Sequence, residues 1–353
     1  MQEVLTKLPL SFYVALITSL SFSILINATK NSHIFFSLDS NEGIQKIHLK
    51  PTPRIGGIAV FLGIIFAYFM EKNERTSILG PLILSGLSAF IFGLAEDATK
   101  KIGIYTRLLA TTLAGVVGWS ITGISLTHIG ISLIDPIFNN SIFSVFFTAI
   151  AIGGIANAIN IIDGLNGLAS IMMIIAFTCL ASIAYLVGDN NLAVACLTIG
   201  ASIFGFFLIN WPWGKLFMGD GGSYFCGFAL AWSCVLLVER NNTVSPFVGL
   251  LVCIYPFSEV IFSVCRRFSK TKSWTRADLL HLHSLIYRRY FRRGGFLVWN
   301  NSITGLLIGA LSIPPAIVAF HFYNNNLICS ILSIIFVATY YVVYRRIVRF
   351  NWR

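Results

Sequence analysis

Apolar runs of about 20 residues recur along the whole chain, each long enough to cross a lipid bilayer. Lipid offers no partners to backbone N–H and C=O groups, so only helices and closed barrels cross it, and the continuous pattern of these runs excludes a barrel. Of the 353 residues 11% are charged, and the mean hydropathy is +0.79. Soluble domains carry about 25% charged residues. The sequence therefore predicts an all-α polytopic membrane protein.

The pattern predicts eleven transmembrane helices within one integral-membrane domain, residues 1–353. The first run lacks a basic lead-in and a small-residue cleavage site, which favours a span over a cleaved signal peptide. We place the helices at residues 9–27, 56–70, 78–94, 105–124, 141–162, 168–187, 191–209, 223–238, 246–265, 296–320 and 327–344.

Basic residues divide unequally between the two sides that this count defines. Of the 25 Lys and Arg residues, 21 fall on one side, and only Lys7, Lys72, Arg75 and Arg240 fall on the other. The positive-inside rule then predicts a periplasmic N-terminus and a cytoplasmic C-terminus. The net charge of +11 reflects this topology and contact with anionic head groups, so no nucleic-acid partner is expected. The seven cysteines form no C-x-x-C pair and indicate neither zinc nor disulfides.

One polar stretch, N-A-I-N-I-I-D-G-L-N-G-L at residues 157–168, ends a long apolar run. Asn157, Asn160 and Asp163 are three residues apart, which places them on one helix face. Gly164 and Gly167 then allow the backbone to turn and to approach a bulky group. The pattern indicates a site for a cation or polar ligand. The alternative is that the two amides only bridge neighbouring helices.

Two other predicted cytoplasmic loops carry carboxylates. Glu96 and Asp97 are adjacent oxygen donors of the kind that suits Mg²⁺, although a solvated helix end has the same composition. Gly219 and Asp220 belong to a glycine-rich turn that opens a span, where backbone N–H groups favour phosphate oxygens. An ordinary helix cap is the alternative for that turn.

Two basic loops lie on the same predicted side. His48, Lys50 and Arg54, beside two prolines, form a stiff loop suited to a diphosphate, or one that only sets topology. His281 and His283 would point away from each other on a helix and lack zinc-ligand spacing. Phosphate contact and a solvated histidine pair are the two interpretations.

All these loops reach one water–lipid boundary. A transporter would instead keep its ionisable residues near the bilayer midplane, and apart from Glu259 the spans contain few such residues. The arrangement favours chemistry at the inner membrane surface over solute or lipid transport.

Four motifs now carry a resemblance: K-x-H-x-x-P-x-P-R-x-G-G at 46–57, N-x-x-N-x-x-D-G-x-x-G-L at 157–168, F-M-G-D-x-G-S at 217–223 and A-D-x-x-H-x-H at 277–283. Together and in this order they resemble the signatures of the polyprenyl-phosphate N-acetylhexosamine-1-phosphate transferases (glycosyltransferase family 4), especially the bacterial undecaprenyl-phosphate N-acetylglucosamine-1-phosphate transferase type.

The resemblance implies an enzyme of the bacterial inner membrane with a cytoplasmic active site. Undecaprenyl phosphate would attack the β-phosphate of a UDP-amino sugar and release UMP. The favoured donor is UDP-GlcNAc. That step would start a lipid-linked glycan such as O-antigen. The resemblance also implies Mg²⁺, with Mn²⁺ able to replace it, and it allows a homodimer. The same reaction with a deoxy-amino sugar of the FucNAc or QuiNAc type is the alternative.

Site residues follow from the resemblance in the same way. It implies that Asp220 and Asp163 hold the metal and that Asp97, Glu96 and Asp163 are the catalytic acids, with the proton acceptor open between Glu96 and Asp97. The implied substrate-binding residues are Asn160, Asn210, Phe217, Gly219, Lys215, His281, His283, His48, Lys50 and Arg54.

Three positions depart from the family pattern. Glu96 stands where an Asp is usual, Ser284 where a further His is common, and Asn166 where an Asp is common, which would remove one charge from the site. These departures leave the reaction class in place and weaken any inference about the exact sugar. The muramoyl-pentapeptide branch is disfavoured because its run of consecutive histidines is missing.

Overall fold

The structure is a computed structural model that describes residues 8–33, 38–39, 52–70, 78–269, 280–291 and 297–349. Two two-residue strands, β1 (Leu38–Asp39) and β2 (Thr52–Pro53), pair antiparallel. The α-helices of the described residues are α1 (Leu10–Ala28), α2 (Gly56–Phe69), α3 (Leu79–Thr99), α4 (Ile104–Thr122), α5 (Ser141–Ile162), α6 (Leu168–Leu186), α7 (Asn190–Asn210), α8 (Gly219–Arg240), α9 (Phe247–Val252), α10 (Ile254–Ser269), α11 (Leu282–Ile286), α12 (Leu297–Gly309), α13 (Ile313–His321) and α14 (Asn326–Arg349). Short 3-10 turns cover Lys30–Ser32, Asp135–Asn139 and Ala310–Ser312, and a π turn covers Tyr287–Phe291.

Within those described ranges, nine helical segments are long and apolar enough to cross a membrane. They are α1, the six helices α3 to α8, the segment Trp299–His321 and the segment Asn326–Val348. Helix α2 is apolar but has only 14 residues. The region predicted as a single span at 246–265 holds two helices, α9 and α10. The chain is an all-α, multi-pass membrane protein.

Helix α8 forms the centre of the bundle. Residues 219–238 are all buried, and the helix packs against α2, α3 and α5. The outer helices instead leave large apolar side chains exposed, among them Leu109 on α4 and Ile142 and Phe146 on α5. Exposed apolar side chains on the outside and a fully enclosed helix inside are what lipid as the surrounding solvent requires.

Small residues let the start of α8 approach its neighbours at backbone distance. A β-carbon on Gly57 of α2 would lie 2.2 Å from Cα of Gly222 on α8. A β-carbon on Gly93 of α3 would lie 2.6 Å from the carbonyl carbon of Asp220. Glycines at helix contacts of membrane bundles permit this kind of close approach. The N-terminus of α8 is therefore held between α2 and α3.

The segment that enters α2 runs beside the segment that enters α8. Phe217 donates its backbone N–H to the Pro53 carbonyl at 2.8 Å, and Gly56 donates to the Phe217 carbonyl at 2.9 Å. Because Arg54 lies between these two backbone contacts, its side chain is brought to the first turn of α8.

We expect Gly57→Ala to destabilise the protein, because the new methyl group would overlap the α8 backbone. Overpacking of this kind costs about 1–3 kcal/mol. The matched control is Gly154→Ala in α5, where a β-carbon meets nothing within 4 Å. Thermal unfolding in detergent should show a lower midpoint for Gly57→Ala and an unchanged or higher midpoint for Gly154→Ala. Equal midpoints for the two variants would contradict the close packing.

Candidate active site at the start of the buried helix

The carboxylate of Asp97 binds the N-terminus of α8. Its Oδ1 accepts the backbone N–H of Asp220 and its Oδ2 accepts that of Gly221, both at 3.0 Å, and Asp97 is 1% exposed. A negative charge here satisfies two of the unpaired N–H groups and matches the positive end of the helix dipole. Adjacent residues on a helix point about 100° apart, and Glu96 accordingly turns away. Its Oε2 accepts the N–H of Ile102 at 2.7 Å.

Asp220 is the most densely bonded carboxylate of the site. Its Oδ1 accepts Arg54 Nη2 at 3.1 Å and Asn160 Nδ2 at 3.1 Å, and its Oδ2 accepts Nη1 of Arg107. Asp220 is 4% exposed. Three different segments of the chain therefore converge on one buried carboxylate, and two of them bring a positive charge. Two guanidinium groups around one carboxylate suit an additional anionic ligand such as a phosphate.

Asn157 and Asn160, the two amides near the end of α5, have different partners. Asn157 donates its side-chain N–H to Thr111 Oγ1 on α4 at 3.1 Å and to the Gly153 carbonyl at 2.7 Å. It joins two helices, as one of the two interpretations of the sequence expected. Asn160 donates to Asp220 and, at 2.8 Å, to Ser223 Oγ. Only Asn160 belongs to the carboxylate cluster.

Asp163 follows the last residue of α5 and is half-buried. Within the described part of the chain, no hydrogen bond to its carboxylate is seen. Desolvation raises the pKa of Asp163 to about 8; Arg54 acts in the opposite direction, and the carboxylates of Asp220 and Asp97 add to the rise. Because the charges of these three groups act on Asp163, we assign it to the same polar cluster.

The two histidines face one shared partner, contrary to the expectation that they point away from each other. Helix α11 begins at Leu282, so His281 is its N-cap with an extended backbone and both rings reach one side. The rings lie parallel, with centroids 5.6 Å apart, and both Nδ1 atoms face the Glu259 carboxylate. Burial lowers the pKa of His283, while its bond to Glu259 opposes that change. Glu259, which the sequence suggested was a charge near the bilayer midplane, is thus hydrogen-bonded to both histidines.

That histidine pair reaches the 157–168 stretch through Gly164. A β-carbon at Gly164 would lie 3.2 Å from Nε2 of His283. Gly167 has φ +79°, and a β-carbon there would lie 3.0 Å from the rings of Phe207 and Trp211. The two glycines of the turn do approach bulky groups, and those groups are side chains of the protein itself.

Two further predicted residues precede α8: Asn210 ends α7, and Lys215 lies between α7 and α8. Both ends of the Asn210 amide are used: Oδ1 accepts the Gly167 N–H at 2.6 Å, and Nδ2 donates to the Leu216 carbonyl at 2.8 Å. Lys215 is exposed, with Nζ 4.7 Å from the Trp213 ring centroid.

Gly219 has φ +75°, and a β-carbon there would lie 1.9 Å from the Arg54 carbonyl oxygen, so no other residue fits. Phe217 is partly exposed beside it. The predictions for His48 and Lys50 lie outside the described residues.

Asn166 is directed away from the carboxylates. Its Nδ2 donates to Ser302 Oγ at 3.1 Å, and its backbone N–H donates to Asn301 Oδ1 at 2.8 Å, both on α12. The side chain of Asn166 packs against α12, and the expectation that Asn166 removes one charge from the site stays a prediction.

The donor set fits a metal held by few protein ligands. No group of three or more His, Cys, Asp or Glu side chains at metal-binding spacing occurs among the residues that the structure describes. Mg²⁺ commonly binds through one or two carboxylates, completing its shell with waters and substrate phosphates. Asp220 and Asp163 are two carboxylates in one cluster. The oxygens of Asp220 accept side-chain donors, which can turn away, whereas both oxygens of Asp97 accept backbone N–H groups that are fixed in α8. The chemistry fits an open Mg²⁺ site completed by a phosphate ligand.

Two residues of the site were not identified from the sequence. Arg107, near the start of α4, was counted only as a topology-setting charge, and Glu259 only as an isolated midplane charge. Each joins the site through contacts more than 20 residues away in the chain. The sequence did contain a signal for Arg107. It is a basic residue in the first turn of the helix that follows Glu96 and Asp97.

Comparison with known proteins agrees with this architecture. The family model described as glycosyl transferase family 4 matches residues 79–238, which extend from the start of α3 nearly to the end of α8. An undecaprenyl-phosphate alpha-N-acetylglucosaminyl 1-phosphate transferase from Yersinia pestis is 28% identical, over 70% of this chain and 68% of the relative. A decaprenyl-phosphate N-acetylglucosaminephosphotransferase from Mycobacterium leprae is 29% identical, over 68% of this chain and 67% of the relative.

A probable undecaprenyl-phosphate N-acetylglucosaminyl 1-phosphate transferase from Bacillus subtilis (strain 168) is 25% identical, over 80% of this chain and 78% of the relative. The matched helices carry Asp97, Asn160 and Asp220, the residues that meet at the start of α8. Over residues 79–238 the chain is therefore similar to glycosyl transferase family 4.

Asn157 and Asn160 offer a matched pair of substitutions one turn apart on α5. We expect Asn160→Ala to lose most transferase activity, because Asp220 loses one of its three partners. We expect Asn157→Ala to keep its activity and to lose about 1 kcal/mol of stability, the usual net value of a hydrogen bond. Activity assays and thermal unfolding of both variants test this. The separation of roles is wrong if both substitutions reduce activity alike.

Proposed function

We propose that this protein transfers N-acetylglucosamine 1-phosphate from UDP-GlcNAc to undecaprenyl phosphate. An oxygen of the lipid phosphate forms a bond to the β-phosphorus of the donor. The bond between that phosphorus and the bridging oxygen breaks, and UMP leaves with the electron pair. The products are undecaprenyl-diphospho-GlcNAc and UMP. Initiation of a lipid-linked surface glycan such as O-antigen is the role that this product fits.

The observation that carries the proposal is the cluster around Asp220. Both substrates are anionic at the point of reaction, so the site must offset repulsion between two phosphate groups. Arg54 and Arg107 place two guanidinium groups on one buried carboxylate at the end of the bundle. The curated relatives described above act, by their names, on polyprenyl phosphates and N-acetylglucosamine 1-phosphate.

Roles follow from the contacts of each residue. Asp220 and Asp163 would hold Mg²⁺, which supplies charge neutralisation at the diphosphate when bound. Arg54 and Arg107 bind phosphate oxygens, since a guanidinium presents several N–H donors in one plane. Asp97 fixes the N-terminus of α8 and so sets the direction of the Asp220 side chain. Proton acceptance by Asp97 or Glu96 stays a prediction.

The reaction is proposed for the cytoplasmic face of a bacterial inner membrane. The loops that meet at Asp220 belong to the side that carries 21 of the 25 basic residues, and such loops remain in the cytoplasm. UDP-sugars would then reach the site from the compartment where nucleotides are made. The opposite end of α8 carries Glu239 and Arg240, which bond to Thr127 and Asp189.

UMP release from purified protein tests the proposal. With undecaprenyl phosphate, Mg²⁺ and UDP-GlcNAc, we expect UMP and a lipid-linked sugar in equal amounts, and no turnover after EDTA treatment. UDP-linked deoxy-amino sugars serve as competing donors. A folded sample that releases no UMP with any of these donors would sink the proposal, and turnover with a deoxy-amino sugar alone would replace UDP-GlcNAc as donor.

Asp220→Asn should abolish turnover and weaken metal binding, because an amide is a poor ligand for a hard divalent cation. Binding of Mn²⁺, followed by electron paramagnetic resonance, gives a readout that does not depend on activity. The matched control is Asp189→Asn, which removes a carboxylate bonded to Arg240 at the other end of the bundle. Retained Mn²⁺ binding in Asp220→Asn would remove Asp220 from the metal site.

A further inference from the structure

The Glu259 carboxylate is a buried hub with four donors around it. Glu259 is 2% exposed. Its oxygens accept His281 Nδ1 at 3.2 Å, His283 Nδ1 at 3.4 Å, the backbone N–H of Leu282 at 3.1 Å and the Tyr255 hydroxyl at 2.8 Å. A buried carboxylate is costly unless its charge is matched by such donors, so an apolar residue would link the two helices at lower cost.

These contacts determine which edge of each imidazole is available. A carboxylate only accepts hydrogen bonds, so both histidines carry a proton on Nδ1 and direct Nε2 away from Glu259. For His283 the destination is known, since Nε2 lies beside Gly164, next to Asp163. The ring of His281 lies parallel to that of His283 and also turns Nδ1 to Glu259, so its Nε2 edge faces away from the same carboxylate.

The four donors divide into two kinds. The bond from the Leu282 N–H attaches the start of α11 to α10, and the bond from Tyr255 lies within α10, one turn before Glu259. The bonds from the two imidazoles also fix the rotation of both histidine rings. Orientation of a histidine through a carboxylate on its second nitrogen is a general device in functional sites.

We infer that Glu259 is a positioning residue that aligns the imidazoles of His281 and His283 with the diphosphate of the sugar nucleotide. This inference rests on the proposed function, which supplies the diphosphate beside Asp163. Glu259 itself touches no substrate. Its removal should act on the nucleotide substrate and leave the lipid substrate unaffected.

Steady-state kinetics of Glu259→Gln separates the two substrates. We expect KM for UDP-GlcNAc to rise about tenfold, the lower end of the effect of removing such an orienting carboxylate, with KM for undecaprenyl phosphate unchanged. Glu259→Asp, which keeps the charge, should recover part of the loss. The matched control is Glu239→Gln, because Glu239 also accepts a backbone N–H and a hydroxyl but lies at the opposite end of α8.

The protonation of the histidine rings can be measured on the unaltered protein, without an activity assay. With ¹⁵N-labelled histidine, two of the six histidines should show imidazole signals protonated at Nδ1, and both should change in Glu259→Asp. Absence of that pair of signals overturns the inference. So does an unchanged KM for UDP-GlcNAc in Glu259→Gln. If the unaltered protein shows the signals but releases no UMP, the proposed function fails while the orientation by Glu259 stands.

Discussion

The bond between Asp97 and the first turn of α8 is the contact on which the site depends. A helix end buried among other helices has N–H groups that need acceptors from the protein itself. One carboxylate from α3 accepts two of these groups at 3.0 Å. The bond therefore stabilises the central helix and determines where Asp220 lies. Fold and site share this single constraint.

Around that anchor, the cluster is held together by charge. Asp220 is bonded to groups from three segments that are far apart in sequence: the segment between β2 and α2, helix α4 and helix α5. None of these segments forms the site alone. The backbone approach permitted by glycines at 57, 93 and 222 brings them within bonding distance. Packing of small residues and pairing of charges are thus two requirements of one geometry.

Much of this could be predicted from the sequence, and the limits have physical reasons. Membrane spans are local properties of composition, so each predicted span coincides with one or two helices. Spacing along one helix likewise identified Asn160 and Asp163. It could not separate Asn160 from Asn157, because the difference lies in which neighbouring helix each amide meets. Arg107 and Glu259 were missed for the same reason, as were the actual surroundings of Asn166.

The enclosure of α8 also bears on how the protein is made. The helices that pack most extensively against it, α2, α3, α5 and α6, all precede it in the chain. When α8 leaves the ribosome, these neighbours have already been synthesised, so its buried faces can pack against protein as soon as the helix inserts. Chain order thereby allows the most buried helix to exchange lipid for protein contacts early in biogenesis.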